Sequence, residues 1–308
     1  MVEKQEVKIN DVRVADAVYD DSLPIAYREA IAHASALGTA VKSMPEVLVL
    51  KRRAPFNNPI WSTWYTCASE EDVGTTVQGN KVMIEVHGGG ISTPERIETA
   101  HEKGLTKQNA AHLTENEVRD LLAGKLADGI QIPVYSFTDF REGVKDLPRR
   151  YAVVLDFDTA KATTSGYQDI QGLRDNPLVI MRAGGSVGAN ALIDYAAQRY
   201  NQYGNWHPFN AINADETQGR VLFVGDDGSG LLGDYGLNGS GRFLVGVAPE
   251  ALVGTERHAQ KSGPLLSTET TIIIAPTLDQ IMAKLKPYVA PALVETIQAN
   301  LATLYVKK

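Results

Sequence analysis

The residues best placed to do chemistry lie in two glycine-rich segments, His87-Gly88-Gly89-Gly90 and Gly184-Gly185-Ser186-Val187-Gly188. Both sit in one grammar: an apolar run, a glycine cluster, then an amphipathic stretch, at 81–101 (KVMIEVHGGGISTPERIETAH) and 177–200 (PLVIMRAGGSVGANALIDYAAQRY). Glycine lets a backbone turn sharply and approach a ligand. The first turn of the following helix offers unpaired N–H groups at the positive end of its dipole. A serine on a tight turn, as Ser186 would be, exposes a nucleophilic hydroxyl, and loop N–H groups at 87–90 could stabilise the resulting oxyanion.

G-x-S-x-G at 184–188, with HGGG upstream at 87–90, resembles the α/β-hydrolases, particularly the esterases that carry an HGGG loop. The resemblance covers two motifs and their order, not the whole chain. It implies an esterase- or amidase-like hydrolase of a small molecule, with Ser186 as nucleophile and no cofactor. Gly88, Gly89 and Val187 would supply oxyanion N–H groups, with His87, Gly90 and Gly185 in the ligand-contacting loops. Asp226 and His258 would preserve the chain order Ser, Asp, His.

The same residues support other readings. Ser186 suits a helix N-cap, and His87 a strand end. The segment from Gly89 to Glu95 looks like the phosphate-gripping loops of sugar-phosphate TIM barrels, which predicts a noncatalytic small-anion binder. Glu85 and His87 share a strand face by the period of two, and Glu98, His101 and Glu102 lie within one helical turn. Glu85, His87 and His101 are therefore an alternative ligand set for a divalent metal. Asp226-Asp227-Gly-Ser-Gly and Asp234 could supply oxygen ligands to calcium or simply turn the chain. Trp206-His207-Pro208-Phe209, with Tyr200 and Tyr203, could wall a pocket or pack a core. Cys67 has no basic neighbour in sequence and reads as an inert buried thiol.

These residues need elements to hold them. Proline 24 and the apolar face of Ile25, Ile31, Ala32 and Leu37 predict a helix from Ser22 to Gly38. Strands are predicted at 46–50, 61–67, 81–87, 131–136, 151–157, 178–181, 221–224, 243–247 and 270–275. Capping-box spacings at Ser92-Thr-Pro-Glu95 and Thr114-Glu-Asn-Glu117 open helices that Gly104 and Gly124 close. Helices fill 277–306, interrupted by Pro287. Nine glycines fall between Gly219 and Gly246, bracketed by two β runs, so this stretch reads as an ordered hairpin or binding loop. Strand and helix alternation predicts an α/β fold with a mixed sheet, flanking helices and additional hairpins, with α+β as the alternative.

With no break in composition, the 308 residues read as one globular enzyme domain. A net charge of −7 without like-charge blocks argues against nucleic acid and anionic membrane as partners. One cysteine permits no intrachain disulfide and no thiolate zinc cage, and no run is apolar enough to span a membrane. The expectation is a cytoplasmic protein acting on a small molecule.

Overall fold

The computed structural model describes residues 2–247. The predicted strand at 270–275, the helices within 277–306 and His258 lie outside the described residues.

The chain opens with a hairpin of β1 (Glu3–Ile9) and β2 (Val12–Asp20). Asn10 and Asp11 both take positive φ, 49° and 65°, the backbone that a two-residue hairpin turn matched to the strand twist requires. Helix α1 (Leu23–Ala36) starts after Ser22 with Pro24 in its first turn and stops short of Gly38, as expected. Where the apolar run at 46–50 suggested a strand, the chain forms α2 (Met44–Arg53). Ser43 and Glu46 make the difference: the Glu46 carboxylate reaches back to accept the Ser43 N–H at 2.8 Å, and Pro45 fits the first turn.

The middle of the chain supplies β3 (Tyr65–Thr75), β4 (Lys81–His87), α3 (Pro94–Lys103), β5 (Ala111–His112) and α4 (Glu115–Leu122). Thr93 rather than Ser92 caps α3, accepting from the Arg96 N–H, and Thr114 with Glu117 forms the expected box on α4. Then follow β6 (Val134–Ser136), α5 (Phe137–Glu142), β7 (Tyr151–Asp156), α6 (Phe157–Ala162) and β8 (Gly166–Asp169). The described chain ends with α7 (Pro177–Arg182), α8 (Ser186–Ala196), β9 (Gln202–Trp206), β10 (Gln218–Val224), β11 (Leu231–Leu232) and β12 (Gly241–Gly246).

The described residues form a mixed α/β protein. Its strands run in the order β1-β2-β12-β3-β10-β11-β9-β8, with β3 also paired to β4, β4 to β7, and β7 to β6. Most pairs are antiparallel; β6 with β7, β11 with β9 and β12 with β3 are parallel. Helices cover both faces. Met83 points into one core with residues of α2, α7 and α8, while Val82, Ile84 and Val86 point into the other with residues of α1, α3 and α4, the alternation a strand imposes. No helix among the described residues is long and apolar enough to cross a membrane.

One difference bears directly on function. Residues 178–181 are helical, not a strand, because Asn176 caps the Leu178 and Val179 N–H groups at 3.0 and 3.3 Å and Pro177 occupies the first helical position. Gly184 to Gly188 therefore joins two helices. The strand-to-helix turn that would strain and present a nucleophilic serine is not formed.

Candidate functional site

Among the described residues, the two motifs of the hydrolase reading serve the fold itself. Ser186 is the first residue of α8, behind Gly185 (φ 104°), and its hydroxyl donates to the Arg141 carbonyl at 2.8 Å. Val187 is 86% exposed, facing solvent rather than a site. The Gly88 and Gly89 N–H groups both donate to the Ala68 carbonyl, at 2.8 and 3.0 Å, and those of Ile91 and Ser92 donate to the Glu70 carboxylate, each at 2.7 Å. Glycine is required at position 90 because a Cβ there would overlap that carboxylate. These donors are committed to the protein's own acceptors, which leaves neither an oxyanion hole nor an anion cradle among them.

His87 is fully buried. Its Nδ1 lies 2.8 Å from the Ser69 hydroxyl, and its Nε2 lies 3.1 Å from the Met181 carbonyl and 3.0 Å from Glu85 Oε1. The Met44 N–H also donates to the Ser69 oxygen, at 2.9 Å, so His87 is held between Ser69 on one side and Met181 and Glu85 on the other. His87 and Glu85 do share a face. His101, by contrast, sits exposed on α3, donating to the Leu237 carbonyl at 2.9 Å. Among the described residues no three His, Cys, Asp or Glu side chains are grouped to hold a metal ion. Asp226 lies in the turn between β10 and β11, accepting from the Ser229 hydroxyl at 2.8 Å, and makes no hydrogen bond with Ser186. Cys67 is buried, and burial pushes its thiol pKa up.

The sheet centre is charged instead of apolar. Glu71 of β3 faces Arg220 of β10 on one side and Glu85 of β4 on the other, and Arg182 enters from α7 to bind Glu71 at 2.7 Å. Arg182 also donates to Asn205 Oδ1 at 2.6 Å. On the opposite face burial, then the neighbouring Glu70 charge, holds the Asp72 carboxyl well above its usual range. Arg182 and Glu71 form a fully buried ion pair, while the Asp72 and Glu85 carboxylate oxygens and Glu71 Oε1 are buried without a hydrogen-bond partner among the described residues.

The cavity that stands apart from this internal bookkeeping lies where β8, β9, β11 and β10 end. It measures about 460 Å³ and is walled by Trp64, Tyr167, Trp206, Phe223 and Tyr235, with Asp226 and Asp234 at its polar edge. Tyr167 meets Trp206 edge-on at 5.5 Å and 82°, and Phe223 lies between Trp64 (6.3 Å, 51°) and Tyr235 (5.4 Å, 41°). Tyr167 and Tyr235 are 55% and 56% exposed. The glycine-rich stretch is an ordered loop, as its composition predicted. The Gly225 N–H donates to the Gly230 carbonyl at 2.8 Å, and Gly230 (φ 89°) passes so close to Gly204 that any Cβ would overlap it. Trp206 Nε1 donates to the Ser229 carbonyl at 3.0 Å, tying a wall of the cleft to this loop.

Beneath the loop lies Lys51 of α2, 1% exposed, with Nζ donating to the Gly225 carbonyl at 2.6 Å and the Thr63 carbonyl at 3.1 Å. Burial pushes its pKa down to about 7, partly opposed by the charge of Asp226. Of the aromatic cluster proposed as a pocket wall, only Trp206 lines the cleft; Tyr203, His207 and Phe209 are buried in the core. Sequence reading missed Trp64, Tyr167, Phe223 and Tyr235. Their shared signal is weak: an aromatic residue at or beside a strand end.

The fold and cleft define a mixed α/β protein with an aromatic-walled cavity at one end of its sheet. No protein-family model and no curated protein matches the chain. It is similar to a solved structure described as "Accommodation of massive sequence variation in Nanoarchaeota by the C-type lectin fold", with 27% identity over 78% of this chain and 100% of that one, at a TM-score of 0.59. This likeness corrects the α/β-hydrolase resemblance and the hydrolase function built on it. Two short motifs coincided with those of another fold, while the chain that carries them is organised like a C-type lectin fold protein.

Proposed function

We propose that this protein is a ligand-binding protein whose working surface is the aromatic cleft between Tyr167, Trp206 and Tyr235. One observation carries the reading: two large, half-exposed rings and two carboxylates converge on a cavity whose floor and walls are fixed strand ends and a hydrogen-bonded loop. A preformed concavity with apolar walls and a few placed polar groups is what a small-ligand site requires. The matched protein's C-type lectin fold agrees with a role in binding. Ligand-detected NMR against a mixture of free amines, amino acids and monosaccharides tests the reading. Binding signals should appear with the wild type and vanish for the Tyr167→Ala/Tyr235→Ala double variant; signals equal in both proteins would remove the cleft from consideration.

A further inference from the structure

Resting on that reading of the cleft, we propose that its ligand is an organic cation: a small ammonium or guanidinium head group received between the rings and the two carboxylates. The lining carries two carboxylates, Asp226 and Asp234, beside the Tyr167, Tyr235, Ser229 and Ser240 hydroxyls and the Trp64 indole N–H. Asp226 and Asp234 can only accept, and the Ser229 hydroxyl already donates to Asp226 at 2.8 Å. Among the described residues no lysine, arginine or histidine lines the cavity, and neither Asp226 nor Asp234 forms an ion pair with a described side chain. An ammonium or guanidinium group supplies positive charge to those two carboxylates, and N–H donors where it has them.

The ring geometry points the same way. Tyr167 and Trp206 stand nearly perpendicular, and Trp64, Phe223 and Tyr235 are inclined to one another, so the rings form walls rather than a stack. A cation near ring faces is attracted by their quadrupoles, more strongly as it loses water. The protein uses this chemistry alongside the cleft, where the Arg242 guanidinium lies 4.7 Å over Tyr19 and 4.8 Å over Trp64. A neutral sugar could also stack on such rings, but it would bring no counter-charge to Asp226 and Asp234.

The experiment compares choline with its neutral tert-butyl isostere, in which carbon replaces the ammonium nitrogen, using the full chain and following the indole N–H resonances of Trp64 and Trp206. Choline should bind roughly tenfold tighter than the isostere, an advantage that Asp226→Asn and Asp234→Asn each reduce without altering isostere binding. Equal binding of the two probes would overturn the cation assignment and leave the cleft as a binding site. Perturbation by a methyl glycoside but not by choline would replace the cation with a sugar. If no probe shifts either indole at saturating concentration, both the assignment and the cleft reading fall. Because the isostere comparison is made on the wild type, it decides the matter even if a variant fails to fold.

Discussion

Replacing Lys51 by methionine should change the pH dependence of stability in a direction fixed by the lysine's burial. In the unfolded chain this amine keeps its proton up to about pH 10.4, whereas in the folded protein burial pushes the pKa down to about 7. Between those values the unfolded state holds one more proton than the folded state, so raising the pH favours folding; below both values the two states hold equal protons and the effect vanishes. The full separation corresponds to roughly 5 kcal/mol, at a limiting slope of about 1.4 kcal/mol per pH unit. Tyrosines such as Tyr65, pushed up to about 12 by burial, begin to oppose the trend in strong base. The useful window is therefore about pH 7 to 9.5, where the lysine alone should contribute roughly 2 to 3 kcal/mol. Lys51→Met removes the donor to the Thr63 and Gly225 carbonyls, a loss that offsets the whole curve but does not tilt it. Urea unfolding of both proteins across the window gives the difference curve. A difference independent of pH would show that Lys51 keeps an ordinary pKa, and the account of its burial would be wrong.

Gly90→Ala should cost several kcal/mol in urea unfolding, because the new methyl group displaces the Glu70 carboxylate and strands the Ile91 and Ser92 N–H groups. Ser186→Ala should cost about 1 kcal/mol or less, by losing one partly exposed hydrogen bond, and a fluorophosphonate probe should label neither protein; stoichiometric labelling of Ser186 would revive the nucleophile. Asp72→Asn should raise stability at neutral pH. The native Asp72 carboxyl is shifted upward, so its contribution is fully present below about pH 4 and lost as pH rises through the folded value, whereas the amide places no second charge beside Glu70 at any pH; thermal melts from about pH 4 to 8 should flatten in the variant.

The elements the sequence disclosed were those with local signals. The start at Ser22 with Pro24 in the first turn, the box at Thr114 and the apolar run at 81–87 encode their own geometry within a few residues, and they appear where expected. Short apolar runs at 46–50 and 178–181 were ambiguous by periodicity, and the helix-starting Ser43-Met-Pro-Glu46 and Asn176-Pro177 decided them. The candidate site was less legible. HGGG and G-x-S-x-G describe backbone shape, and here the shape seats Glu70 and joins two helices. Nothing local predicts that Tyr167, Trp206, Phe223 and Tyr235 meet, because they come from separate strands and loops whose adjacency is set by strand order. The ordered glycine-rich loop was anticipated, yet its role in closing an aromatic cleft was not.

Strand β12 has a consequence for how the molecule is built in time. It pairs with β2 from Gly241 opposite Asp20 to Gly246 opposite Ala15, and touches β3 at Phe243 opposite Thr66, so the two ends of the described chain meet in the middle of the sheet. The β1–β2 hairpin can form from neighbouring residues, but the strand that pairs on its inner edge is synthesised much later in the chain. Contacts between distant parts of a sequence are slow to form because loop entropy is lost before any pairing offsets it. Closure by β12 is therefore the late event of folding. The segment that supplies Asp234, Tyr235 and Gly239 to the cleft immediately precedes that strand, so this wall of the cleft is tethered to the same closure.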